Sequence, residues 1–209
     1  MSIKDLTTNL IVEYQLKQTI DRSFVVGIDG LGGAGKTSLA KELSQDLNMK
    51  NINVVLIQMD DYIVERNKRY QTGHPEWYEY YHLQWDTEML RNGLFQKLQT
   101  NCSELTLSMY EKQNDSISIK NITVNPQSII LIEGIFLQRK EWRKYLDFVI
   151  YLDCPREIRM ERVLKRDSYI GDYQARLNKY NKRYWIAEEH YLNIENPHKR
   201  ADIILNTIS

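Results

Sequence analysis

Phe24-Val25-Val26-Gly27-Ile28-Asp29-Gly30-Leu31-Gly32-Gly33-Ala34-Gly35-Lys36-Thr37-Ser38 is the stretch that decides the fold. An apolar, β-branched run leads into G-x-x-x-x-G-K-T, and Ser38-Leu39-Ala40-Lys41-Glu42-Leu43 leaves it with helical character. The spacing alone is compatible with an ordinary glycine-rich turn. Placed between a strand and a helix, it reads as a phosphate loop. Four glycines between positions 30 and 35 let successive backbone N–H groups converge on an anion that side chains would block. The positive end of the following helix faces the same anion. Lys36 then reaches the outer phosphates, and Thr37 offers its hydroxyl to Mg²⁺. Gly30, Leu31, Gly32, Gly33, Ala34, Gly35, Lys36, Thr37 and Ser38 are therefore the candidate residues for holding a nucleoside triphosphate.

Outward from this loop, four more apolar runs read as strands: Val54–Met59, Ile129–Gly134, Phe148–Asp153 and Ala201–Leu205. Continuous apolar runs suit a parallel sheet covered on both faces, and helical segments lie between most of them. A helix is expected over residues 1–22, with Leu6, Leu10 and Tyr14 on one stripe. Ligands of such sheets gather beyond the carboxyl ends of the strands. Asp29, Asp60, Asp61, Glu133 and Asp153 all fall there, although any one acid in that place is often a cap or turn former.

Residues 61–128 are the least regular. Trp77, Tyr81 and Trp85 recur at every fourth position, as a core-packing helix or as rings that stack on a substrate. Leu105–Tyr110, Ile117–Ile119 and Ile122–Val124 alternate like a β-hairpin, which would wall one side of a pocket.

The 209 residues suit one α/β unit, and 28 acidic against 28 basic residues give no net attraction to nucleic acid or membrane surface. No run is long enough to span a membrane, and no signal-peptide core is visible. Cys102 and Cys154 lack metal-ligand spacing, and the four histidines form no metal pattern. A cytoplasmic protein with free thiols is the expectation, and a homo-oligomer is left open.

The phosphate loop does not by itself separate kinases, GTPases, transport ATPases and nucleotide sensors. Asn181-Lys182-Arg183-Tyr184 misses the guanine-reading N-K-x-D, and no transporter signature occurs. Two features favour phosphoryl transfer. Asp60, closing the second strand, can take the proton of an attacking hydroxyl. Arg159, Arg162 and Arg166 share one helical face with Arg156 and can stabilise charge on the moving phosphoryl group, unless they only pair with Glu157, Glu161 and Asp167 on a solvated face.

These residues resemble the uridine kinase and phosphoribulokinase-like P-loop kinases. The similarity runs from Phe24 to Leu205 and rests on the phosphate loop, Met59-Asp60-Asp61-Tyr62, Ile132-Glu133-Gly134-Ile135-Phe136-Leu137, the Arg159–Asp167 run and Ala201–Leu205. The resemblance implies a P-loop NTPase three-layer α/β/α sandwich: a parallel five-stranded sheet of order 2-3-1-4-5, a small hairpin insertion (about 61–128) and a helical lid (about 156–183). It implies ATP and Mg²⁺ as cofactors, with Lys36 and Asp60 catalytic, and Thr37, Glu133 and Asp60 at the metal. Arg159, Arg162 and Arg166 match the lid over ATP. Asp86 is similar to the aspartate that binds ribose hydroxyls, Tyr110 to the pocket aromatic, and Asp61, Tyr62 and Trp85 fall in the acceptor region.

The sequence departs from the family on the acceptor side. Tyr110 is followed by Glu111-Lys112-Gln113-Asn114-Asp115, without the family's pyrimidine-reading histidine. The usual Asn-Phe-Asp-His-Pro becomes Leu83-Gln84-Trp85-Asp86-Thr87, and the later Arg-Gly-Arg becomes Gln174-Ala175-Arg176. The resulting expectation is an ATP-dependent kinase acting on a primary hydroxyl of a small metabolite, a nucleoside such as uridine first. Pantothenate or nicotinamide riboside is the alternative acceptor. An ATP-binding regulator that has lost acceptor chemistry is the alternative from another class.

Overall fold

The computed structural model describes residues 1–17 and 21–206. Its centre is a five-stranded parallel sheet of β1 (Phe24–Gly30), β2 (Val54–Gln58), β5 (Ile129–Glu133), β6 (Phe148–Asp153) and β7 (Ile203–Asn206), in the order β2-β5-β1-β6-β7. Counting sheet strands alone, that is the expected 2-3-1-4-5. Every residue of β1 and β5 is buried, as their unbroken apolar runs require.

The strand period of two sorts these runs onto two faces. Val26, Ile28, Leu131 and Ile150 pack against α1 (Ile3–Leu16) and α2 (Lys36–Met49) through Leu6, Leu10, Leu39, Leu43 and Leu47. Val25, Ile130, Ile132 and Val149 face the other way, into an aromatic-rich cluster with Trp85, Phe95, Phe136, Trp142 and Tyr191. Helices on both faces give the three-layer sandwich.

α1 starts on a capping box between Ser2 and Asp5 and buries the predicted Leu6, Leu10 and Tyr14 stripe. It ends at Leu16, short of the expected residue 22, and residues 18–20 lie outside the described residues. At the far end of the chain, Asp202 fixes the start of β7: its carboxylate accepts from Val149 N at 2.7 Å, and its N–H donates to Val149 O at 2.9 Å.

Between β2 and β5 the chain makes a 3₁₀ turn over Met59–Tyr62, then α3 (Arg66–Arg69), α4 (Glu76–His82) and α5 (Thr87–Leu90), and then the hairpin β3 (Glu104–Glu111) with β4 (Ser116–Thr123). The fourfold aromatic spacing does not describe one helix, because α4 stops at His82 and Trp85 lies beyond it. After β6 follow α6 (Arg156–Arg166), α7 (Tyr173–Lys179), α8 (Trp185–Glu195) and α9 (Pro197–Arg200). The order reverses on either side of β1, so the crevice at its carboxyl end is the place for a ligand.

Candidate active site

The phosphate loop closes β1 and opens α2. Gly35 is the α2 N-cap at φ 101°, and Gly33 lies at φ 81° with α6 against it. A Cβ at Gly33 would meet Val163 Cγ1 at 2.7 Å and Arg159 O at 2.9 Å, so conformation and packing both demand glycine there. Lys36 Nζ donates to Leu31 O at 3.1 Å, which folds its side chain back over the loop. Burial lowers the Lys36 pKa, and the carboxylates of Glu133, Asp60, Asp29 and Glu188 oppose that shift.

Glu133, at the end of β5, is buried and accepts at Oε1 from Thr37 Oγ1 (2.8 Å) and Gln58 Nε2 (3.0 Å). Among the described residues, no cluster of three or more His, Cys, Asp or Glu gathers to hold a metal. One hydroxyl and one carboxylate are hard oxygen donors. They fit a Mg²⁺ that arrives on nucleotide phosphates and keeps most of its other ligands from phosphate and water.

Two cavities meet at this edge of the sheet. One, of about 450 Å³, is lined by the phosphate loop, Lys36, Thr37, Glu133, Arg162 and Arg166. The other, of about 630 Å³, is lined by Asp61, Arg69, Tyr70, Gln84, Tyr110 and Tyr184, among others. Gly32, Asp60, Tyr80 and Arg166 line both. Asp60 therefore stands at the junction. Its carboxylate opens onto the cleft, yet the protein around it raises its pKa by desolvation, with Lys36 pulling the other way.

The 3₁₀ turn explains why only part of Met59-Asp60-Asp61-Tyr62 reaches the cavity. At three residues per turn, Met59 and Tyr62 share one side, and both are buried in the core. Asp60 and Asp61 face the cavities instead. Tyr62, expected at the acceptor, is thus a core residue whose hydroxyl pKa burial pushes up to about 12.

Trp85 differs from expectation in the same way. Its indole donates to Met59 O at 2.9 Å and packs edge-on against Trp142 and Phe136. Asp86 is exposed, and its carboxylate caps α5 by accepting from Met89 N at 2.9 Å. Neither residue lines the cavity. Tyr110 does, with its hydroxyl held by Asp115 at 2.9 Å while Asp115 also accepts from Arg66 N. The hairpin walls the cavity as anticipated.

The three α6 arginines expected over the ligand separate into different roles. Arg159 is buried and pairs with Glu188 at 2.8 Å, while donating to Gly32 O and Cys154 O. Glu188 in turn accepts from Gly32 N at 2.9 Å. This pair braces the phosphate loop from α6 and α8 and is not free to swing over a ligand. Arg162 and Arg166 remain on the nucleotide cavity, the former donating to Gly33 O at 3.3 Å and the latter paired with Asp167 at 2.6 Å.

Of the five acids at strand ends, Asp60, Asp61 and Glu133 serve the cavities. Asp29 is a buried tie: it accepts from Tyr191 Oη (2.6 Å), Gln138 Nε2 (3.0 Å) and Leu137 N (3.3 Å). Asp153 is within 3.4 Å of His198 Nε2. The residues that sequence reasoning missed are Glu188, Gln58, Gln84, Tyr80 and Tyr184. Gln84 lies in the Leu83–Thr87 segment that departs from the family pattern, the other four sit in no motif, and only a three-dimensional view brings them to the cleft.

The chain matches the phosphoribulokinase / uridine kinase family over residues 25–209. A uridine kinase from Macrococcus caseolyticus (strain JCSC5402) is 29% identical over 194 residues, covering 89% of each chain. A uridine kinase from Staphylococcus carnosus (strain TM300) is 31% identical over 152 residues, 69% of this chain and 68% of that one. A solved structure of a "possible uridine kinase" from Bacillus stearothermophilus has a TM-score of 0.79 and 42% identity, across 98% of this chain and 100% of that one. With the loop, the junction aspartate and the sheet order in place, the conclusion is direct: the chain belongs to the phosphoribulokinase / uridine kinase family and is an ATP-dependent small-molecule kinase.

Proposed function

We propose that this kinase transfers the γ-phosphoryl group of ATP to a primary hydroxyl of a nucleoside, uridine being the first candidate. The observation that carries the reading is Asp60 at the junction of a phosphate-binding cavity and an aromatic one. A hydroxyl entering from the aromatic side meets the carboxylate just where the nucleotide's outer phosphate would lie. Asp60 takes the hydroxyl proton as the oxygen attacks phosphorus, and the bond to the departing ADP oxygen breaks.

Lys36 and the loop N–H groups hold the phosphates, and Thr37 with Glu133 would hold Mg²⁺. Bound Mg²⁺ supplies charge neutralisation at the β- and γ-phosphates. Arg162 and Arg166 lie on the nucleotide side, where they can follow the phosphoryl charge. The six tyrosines around the acceptor cavity, including Tyr70, Tyr110 and Tyr184, suit a planar ring better than a flexible chain.

The test is ATP consumption by the purified protein with Mg²⁺, against uridine, cytidine, nicotinamide riboside and pantothenate, one at a time. Turnover of a nucleoside with a 5′-phosphorylated product supports the reading. Turnover of pantothenate alone moves the acceptor while keeping the chemistry. ATP binding without product from any alcohol favours a regulator.

A further inference from the structure

Gly32, Asp60, Tyr80 and Arg166 line both cavities, so they border the path between nucleotide and acceptor. Three of them are already committed. Gly32 N donates to Glu188 Oε1, ionised Asp60 has only acceptor atoms, and Arg166 turns Nε and Nη2 onto Asp167. Tyr80 is not committed. Its hydroxyl has no hydrogen-bond partner among the described residues, and the oxygen is not sealed from solvent. The side chain that carries it is nonetheless fixed. The ring packs edge-on against Phe136 (centroids 5.4 Å apart, planes at 70°) and Tyr184 (4.8 Å, 80°). The preceding residue, Glu79, ties α4 down: it is buried, pairs with the fully buried Arg183 at 3.0 Å and accepts from Thr72 N at 2.8 Å.

We propose that Tyr80 is a further catalytic residue, whose hydroxyl donates a hydrogen bond to a non-bridging oxygen of the γ-phosphoryl group as it crosses to the acceptor. The bond to the ADP oxygen breaks, the bond to the acceptor oxygen forms, and Asp60 takes the acceptor's proton. Tyr80 keeps its own proton throughout. Burial, with the Asp60 charge adding to it, holds the phenol well above the ordinary tyrosine pKa, so it stays a neutral donor and does not compete as a base. Charge on the moving group leaves the phosphate loop, where Lys36 and the backbone N–H groups sit, and shifts towards the acceptor cavity. A donor on the wall common to both cavities follows that shift, and one held by packing needs no reorganisation as the charge arrives. A tyrosine kept only for its ring is the competing account. It explains the contacts with Phe136 and Tyr184 but not an unpartnered hydroxyl at the junction. The inference rests on phosphoryl transfer at Asp60 as proposed above, whichever alcohol accepts.

Tyr80→Phe separates the two accounts, because it removes the oxygen and keeps the ring. With the alcohol that the wild type phosphorylates, kcat is expected to fall by about 10²-fold, the effect of removing one donor to transition-state charge. KM for ATP and for the acceptor should stay unchanged, the mark of a contact made only in the transition state. A second measurement needs no acceptor: ADP with Mg²⁺ is titrated with and without aluminium fluoride, which mimics the phosphoryl group in flight. Tyr80→Phe should weaken the aluminium fluoride complex by about 10²-fold and leave the binding of ADP alone as it is. The unfolding midpoint should hold, since the hydroxyl bonds to nothing in the free protein. Wild-type kcat together with wild-type affinity for the aluminium fluoride complex overturns the proposal. An unchanged kcat with a raised KM for the acceptor also overturns it, by placing the hydroxyl on the resting substrate. The reading of Asp60 fails separately: near-wild-type turnover in Asp60→Asn removes the base, while a weakened aluminium fluoride complex in Tyr80→Phe would still place Tyr80 at the phosphoryl group.

Discussion

At the scale of single residues, Asp60 and Asp29 show how one residue type takes two roles at neighbouring strand ends. Asp60 faces the cleft, and desolvation lifts its pKa above that of an ordinary aspartate. A base must be ionised to accept a proton, so activity rises with pH as Asp60 deprotonates. The acid limb of kcat/KM is therefore expected above the usual aspartate range, and in Asp60→Asn that limb should disappear. Turnover in Asp60→Asn should fall by about 10²- to 10⁴-fold with ATP affinity kept, the range for losing a general base. Near-wild-type turnover would remove Asp60 from the role. Asp29 uses both carboxylate oxygens as acceptors for three donors, two on the segment after β5 and one on α8. An Asn there must turn an NH₂ towards one of those donors. Asp29→Asn is expected to lose about 1–3 kcal/mol in denaturant unfolding, by orphaning buried partners. No change in the unfolding midpoint would show that the cluster rearranges freely.

At the scale of elements, α6 is the instructive case. Its arginines at spacings of three and four were expected to share one function, because one face of a helix usually meets one environment. The face instead straddles a boundary. Arg159, in the first turn of α6, reaches under the phosphate loop to Glu188, whereas Arg162 and Arg166 stay on the nucleotide cavity. Arg159→Met should cost about 3–5 kcal/mol of stability by leaving Glu188 buried and uncompensated. Arg166→Ala should lower kcat by about 10²-fold, through lost stabilisation of phosphoryl charge, and cost less stability than Arg159→Met, because the buried Asp167 keeps the Tyr180 hydroxyl as a donor. A reversed outcome would exchange the two roles. The same contrast shows what the sequence could reveal. Lys36, Thr37 and the glycines were legible because phosphate binding by backbone imposes fixed spacing, and the strands because burial on both faces leaves apolar runs. Tyr62 and Trp85 were misplaced because the direction of a side chain depends on whether four residues form a 3₁₀ turn or a strand end. Glu188 was invisible because no spacing rule ties it to the loop it braces, and Gln84 because nothing in Leu83–Thr87 shows which side chain lines the cavity.

At the scale of the whole molecule, the cleft draws on Gly32, Asp60, Gln84, Tyr110, Glu133, Arg166 and Glu188, which are spread across most of the sequence. The sheet is what gathers them: β1 lies between β5 and β6, so strands distant in sequence end side by side. The brace from Arg159 and Glu188 to Gly32 then ties α6 and α8 to the loop between β1 and α2. A ligand that fills this cleft binds only when all of those parts are assembled, so its binding energy belongs to the folded chain as one unit. A non-hydrolysable ATP analogue with Mg²⁺ at about 100 times its Kd should add about 2.7 kcal/mol. For a chain of this size, roughly 2–4 °C per kcal/mol translates that into a rise in Tm of about 5–10 °C. The expected thermogram is one transition that moves as a whole, and Asp60→Asn should move by the same amount if Asp60 acts, as proposed, on the acceptor hydroxyl; a smaller shift would put Asp60 at the metal instead. Two transitions, of which the analogue shifts only one, would instead mean that the phosphate loop and the acceptor wall unfold separately, and the brace between α6, α8 and Gly32 would then be too weak to make them one cooperative unit.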